Sequence, residues 1–231
     1  MNKDAAARND RQAPARPGPV GAEDVTTAVR LSVDALAAAV DRDWSVRAAS
    51  LDWDCWETTE HLADDLFAYA VQLGPRTPPL DTELPFLFTR SRPGAPALAV
   101  RADRAAGPAG LLQVLEASGA LLAAVVHTRA PETRAHHGFG VSDPEGFAAM
   151  GVVEILVHTR DIADGLGGVD WEPPADLCTR VLARLFPDVT VDADPWRTLL
   201  WATGRAELPD RARRTSWRWH GEPGTGVVTR P

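Results

Sequence analysis

Apolar residues recur at helical spacing in four long stretches of this chain and two shorter ones. Between Ala22 and Trp44, Val25, Val29, Leu31, Val33, Leu36, Val40 and Trp44 trace one face of a first helix. Asp54-Cys-Trp-Glu57 has the form of a capping box, with Asp54 as N-cap and Glu57 three positions on; it opens a second helix over Cys55–Leu73, stopped by Gly74. Leu111, Leu112, Leu115, Leu121, Leu122, Val125 and Val126 predict a third helix from Ala109 to His127. Ser142-Asp-Pro-Glu145 supplies an N-cap candidate, a first-turn proline and an early acid for a fourth, which Gly165, Gly167 and Gly168 end. Shorter helices follow over Pro174–Phe186 and around Trp196–Ala206. The Pro/Arg/Gly-rich stretch 75–107 holds two candidate strands, 85–91 and 96–101, around Arg92-Pro-Gly94, with a long ordered loop as the alternative. Thr215-Ser-Trp-Arg-Trp219 alternates like a strand.

The pattern predicts a mainly α protein: a four-helix bundle over 22–168 with one long crossover, then a small C-terminal extension, 169–231, packed on it. Residues 1–21 carry few large apolar groups and read as a disordered tail. At 231 residues the chain can build one sizeable core. A formal net charge of −8 argues against nucleic-acid or anionic-membrane partners. Charged residues break every long apolar run, so no membrane span is expected, and no secretory signal is visible; the cytoplasm is the expected location. Cys55 and Cys178 form no CxxC pair and read as buried apolar groups. One Lys among 24 basic residues reflects a GC-rich coding bias of the actinobacterial kind.

The fourth helix changes this picture. In Gly151-Val-Val-Glu-Ile-Leu-Val-His-Thr-Arg-Asp161, Glu154 and His158 stand four apart, one above the other, in a helix apolar around most of its circumference. A buried carboxylate and imidazole need a partner or a cation. A catalytic metal takes about three protein ligands and leaves a position open. His61, mid-way along the second helix, is the third candidate, and this donor set admits zinc, nickel or iron. The bland alternative pairs Glu154 with an arginine and leaves each histidine hydrogen-bonded in the core. Asp161 falls on the same face and is expected to orient a ligand histidine or pair with an arginine. Thr58, His61, Asp65, Tyr69 and Gln72 form a polar stripe on the second helix; Asp65 can fix the His61 tautomer and Tyr69 can donate to a substrate or pack in the core. Asp64 and Gln72 read equally well as a solvated face. His136 and His137, on the loop before the fourth helix, are candidate proton carriers or substrate contacts, or an idle surface pair.

Trp53-Asp-Cys-Trp-Glu-Thr-Thr-Glu-His61-Leu-Ala resembles the W-T-x-x-x-x-x-x-H-L/I-A motif of the DinB-like superfamily that includes mycothiol-dependent maleylpyruvate isomerase, with Asp54 where threonine is usual. Glu154 to Asp161 is similar to that family's E-x-x-x-H-x-x-D helix-four motif. The resemblance covers roughly 22–168, and Leu199-Leu-Trp-Ala-Thr-Gly-Arg205 is similar to the L-x-x-x-x-G-R ending of the extension many members carry. It implies a DinB-like bundle in which His61, Glu154 and His158 bind a divalent metal, usually zinc. It also implies a mycothiol-using isomerase or transferase, with a thiolate activated at the metal attacking a small-molecule substrate. A hydrolase using activated water, and a non-catalytic metal-binding protein, are the alternatives. Neither substrate nor oligomeric state is carried by these motifs.

Overall fold

A computed structural model describes residues 17–223. The chain is mainly helical, with α1 over Ala22–Ala37, α2 over Cys55–Leu73, α3 over Gly107–Thr128, α4 over Pro144–Leu166, α5 over Ala175–Leu185 and α6 over Pro195–Ala202. Among the described residues there is no regular strand, only isolated bridges. Helices α1 and α2 each pack against both α3 and α4, so α1 and α2 stand diagonally opposite each other. α5 packs on α4 and α6 on α5, and residues of all six helices join one apolar core. α3 is long and apolar enough to cross a membrane by length and composition; here Leu111, Leu112, Leu115 and Leu122 are buried in the core.

The helix starts follow their caps. The Asp54 carboxylate accepts from Glu57 N at 2.6 Å while Glu57 reaches back to Asp54 N at 3.3 Å, the reciprocal capping box. Asp143, rather than Ser142, caps α4, accepting from Gly146 N at 2.8 Å with Pro144 just inside the helix. α4 runs between α1, α2, α3 and α5, which explains its nearly all-round apolar surface.

Several expectations are corrected. The first helix stops at Ala37, not Trp44. Trp44 is buried as expected, but from a turn that folds back and donates its indole N–H to Ala39 O at 2.9 Å. The two strands of the crossover reduce to a single bridge between Thr89 and Leu98 within an ordered loop, and 215–219 forms no strand. α6 ends at Ala202 rather than 206, because Gly204 adopts a positive φ of 70° and closes the helix. Of the tail expected over 1–21, residues 1–16 lie outside the described residues, and Val20 is buried in the core.

The long crossover, 74–106, is held by the helix it leaves. Glu57, Glu60, Asp64 and Gln72 are buried on one side of α2. Asp64 Oδ1 accepts from Ala99 N at 2.8 Å and Val100 N at 2.6 Å; Glu60 accepts from Ala102 N at 3.2 Å. Gln72 exchanges bonds with Thr82 O and Leu84 N, and Glu57 receives Arg92 Nε at 2.8 Å. Asp64 and Gln72 are therefore structural anchors, not a solvated face.

Candidate metal centre

Two adjacent helices bring three donors together: His61 from α2, Glu154 and His158 from α4. Gly151, one turn before Glu154, makes this level of the core narrow, since a Cβ there would lie 2.6 Å from Leu122 Cδ2 and 3.1 Å from Leu66 Cδ2. One ligand atom from each of His61, Glu154 and His158 lies within 4.8 Å of the others, and the three could hold a metal ion. Bonds of about 2.0–2.2 Å require each donor to move inward only slightly from such spacing. The His61 and His158 rings meet edge-on with centroids 5.2 Å apart.

His158 is constrained from both sides. Its Nδ1 lies 3.0 Å from Asp161 Oδ2 and its Nε2 3.1 Å from Glu154 Oε2. With Nδ1–H donated to Asp161, a neutral ring turns an Nε2 lone pair toward a carboxylate, which calls for a positive charge between them, a proton or a cation. Burial pushes the His158 pKa down, but hydrogen bonds to Asp161 and Glu154 outweigh it and hold it above the ordinary value. Burial likewise raises Glu154, and the hydrogen bond and charge of His158 more than offset this, leaving it low.

Asp161 is fixed in turn by Arg205, whose Nε lies 3.1 Å from both carboxylate oxygens and whose Nη2 lies 2.7 Å from Oδ2. Burial raises the Asp161 carboxyl, but the bonds from His158 and Arg205 hold it below its usual range. The local sequence explains how Arg205 arrives. Gly204 N donates to Trp201 O at 3.0 Å and Arg205 N to Leu200 O at 2.7 Å, the paired bonds of a Schellman end that needs a left-handed residue at Gly204. A Cβ at Gly204 would also stand 2.9 Å from Arg214 O. The helix end thus turns Arg205 back onto α4.

On α2, Asp65 Oδ2 lies 3.3 Å from His61 Nε2, and the Trp53 ring stands edge-on to His61 at 4.7 Å, anchored by its indole N–H on Gly94 O. Burial lowers the His61 pKa to about 4, leaving a neutral imidazole able to ligate at pH 7. Asp65 is pushed well up by burial, with the Glu154 and Asp64 carboxylates adding to it.

Beside His61 opens a cavity of about 240 Å³ between α2, the crossover and the 136–137 loop. Tyr69 and His137 both line it, their rings 5.8 Å apart, and Tyr69 also packs on Phe147. His137 is not an idle surface residue: it is partly buried, lies 5.8 Å from the Trp219 ring, and its Nδ1 accepts from Phe139 N at 3.0 Å. Burial lowers its pKa to about 4 and raises the Tyr69 phenol well above its ordinary value. His136 lines the cavity too. Asp161 and Arg205 also border a larger polar cleft of about 550 Å³ shared with Arg160, Asp164, Trp171 and Arg213, which none of the three donors lines.

Arg205, Trp53 and the crossover phenylalanines are contributions that pattern reading did not place. Trp53 begins the motif that contains His61, and Gly204-Arg205 follows the last helix, so each had a signal; Phe86 and Phe88 lay in a candidate strand that the structure does not form, which gave no pointer to the cavity. Cys55 and Cys178 are free and buried, with burial pushing both thiols up to about 12. No protein family, curated protein or solved structure matches this chain.

Proposed function

We propose that the protein binds one divalent cation, zinc being the best fit to a His/Glu/His set, and works as an enzyme of the DinB-like, mycothiol-using isomerase or transferase type. One observation carries the metal reading. His61, Glu154 and His158 each offer one ligand atom within 4.8 Å of the others, an arrangement a cation would complete. The motifs around His61 and Glu154–Asp161 support the family reading.

A cation held by three residues with a position open would bring a coordinated thiol or water toward ionisation near neutral pH. The chain's own residues prepare that position. Asp161, clamped by Arg205, keeps the proton of His158 on Nδ1 and its Nε2 pointed at the site. Asp65, its Oδ2 3.3 Å from His61 Nε2, is the carboxyl group placed to exchange a proton with that ring. Tyr69 remains a phenol and can donate to a bound molecule across the cavity. The cavity of Tyr69 reaches His61 and gives a small-molecule reactant room beside the donors, whereas the cleft of Arg205 meets them only through Asp161.

Elemental analysis of protein purified without chelator tests the metal, with about one equivalent per chain expected and none in His158→Ala; metal-free wild-type protein would overturn it. Thermal shift with mycothiol and glutathione tests the thiol: no stabilisation by either at saturation leaves the hydrolase reading.

A further inference from the structure

The cavity beside His61 has a chemistry of its own. Phe67, Phe86, Phe88, Phe147 and Tyr69 supply much of its wall; its carboxyl groups are Asp64, Asp65 and Glu83, its imidazoles His61, His136 and His137, and among the described residues no Lys or Arg lines it. Four arginines of the neighbouring crossover are engaged elsewhere, Arg92 on Glu57, Arg101 on Glu60 and Thr89 O, Arg90 on Ala95 O and Arg104 over the Trp56 ring, and Arg76 is exposed and does not line the cavity. Arg205 is held by Asp161. Phe86 and Phe88 stand 41% and 43% exposed, apolar edges that a flat ligand would cover. At about 240 Å³ the space is below the roughly 300–1,000 Å³ of drug-sized sites and suits one or two fused rings.

We propose that this cavity takes an uncharged, flat aromatic molecule as the small-molecule reactant, and rejects dicarboxylates. A dianion could place one carboxylate on a cation at the donors, but its second charge would meet phenylalanine rings, carboxyl groups and the imidazole of His137, which burial keeps neutral, with no described Lys or Arg to offset its desolvation. An uncharged ring system buries against Phe67, Phe86 and Phe88, with Tyr69 free to donate one hydrogen bond.

This rests on the reading of the donors as the reacting centre, and the test separates the two. Naphthalene carboxamide, naphthoate and maleate are titrated calorimetrically into the full-length protein, chelator-treated and zinc-reconstituted, with zinc content measured in parallel. In the chelator-treated protein the carboxamide is expected to bind about tenfold or more tighter than naphthoate, and maleate not to bind. Ala68→Trp, which fills the cavity, should weaken the carboxamide about tenfold without changing zinc content. Phe88→Arg, at a half-exposed position that tolerates a charge, should raise naphthoate affinity by about tenfold. Naphthoate or maleate matching the carboxamide, carboxamide binding indifferent to Ala68→Trp, or no binding of any probe would overturn the proposal. Zinc failing to bind while the carboxamide preference persists would remove the metal reading and leave the cavity's selectivity standing.

Discussion

Asp64 and Asp65 are neighbours on one helix with opposite tasks. Asp64 gives one oxygen to two backbone amides of the crossover. Asp65 has a single close partner, the ring of His61, and opens on the cavity. The contrast extends along α2: Glu57, Glu60, Asp64 and Gln72 bond to the crossover, Asp64 and Gln72 also bordering the cavity, while His61, Asp65 and Tyr69 line the cavity without a bond to the crossover. A helix with two polar faces need not have a solvated one. A carboxylate that the chain itself satisfies is structural; one left with unused capacity beside a ligand is free for chemistry.

The sharpest way to break the contrast is to remove one side of it. His61→Ala should take metal content from about one equivalent per chain to none, seen by elemental analysis. The unfolding free energy of its chelated form should stay within about 1 kcal/mol of wild type. Asp64→Ala should do the reverse, stranding two amides and lowering stability by about 3 kcal/mol in urea unfolding. Asp64→Asn retains the accepting oxygen and removes a charge that burial disfavours, so it should stay within about 1 kcal/mol. Equal losses in the Ala and Asn variants would show that charge, not the two amide bonds, is what the crossover needs. Asp161→Asn should weaken metal binding about 10–100-fold by chelator competition, with Arg205→Gln following it in the same direction.

The smallest effect is in pH. The His61 pKa falls from 6.5 to about 4 on folding, so the unfolded chain binds its proton first and stability is lost as pH drops through that window. Asp65, held high, gains its proton first in the folded state and opposes this loss. Asp161, held low, contributes stability above its ordinary value of 3.8 that is lost only as pH falls further. Chelated His61→Asn should therefore lose less stability than wild type between pH 6.5 and 4, by denaturant titration. Identical slopes would mean that the folded state protonates His61 as readily as the unfolded chain does.

The helices were legible because burial writes a period into them. Cys55–Leu73 agrees to the residue, since the Asp54–Glu57 box marks its start and Gly74 follows its end. Glu154 and His158 stood out because an apolar helix gives two polar groups no other reason to be there. Trp44 misled because an apolar residue on a turn folded against the core keeps the helical rhythm without the helix. The crossover was opaque for the opposite reason: its order comes from side chains of α2 capturing scattered backbone amides, which leaves no period in the crossover itself. Arg205 stood in a recognised ending, but its pairing with Asp161 was not legible because that reach depends on a backbone turn at Gly204 across 44 positions of sequence.

That turn places a condition on the order of events in synthesis. A nascent chain that has completed α4 already contains His61, Glu154 and His158, and can meet a cation. It still lacks Arg205, so Asp161 is without its clamp and His158 can settle with either nitrogen protonated. Only when α6 has formed and Gly204 has reversed the backbone does the imidazole acquire its fixed orientation. The three donors and the clamp on one of them thus arrive at separate moments, and a chain truncated before Gly204 would carry the donors without the residue that fixes Asp161.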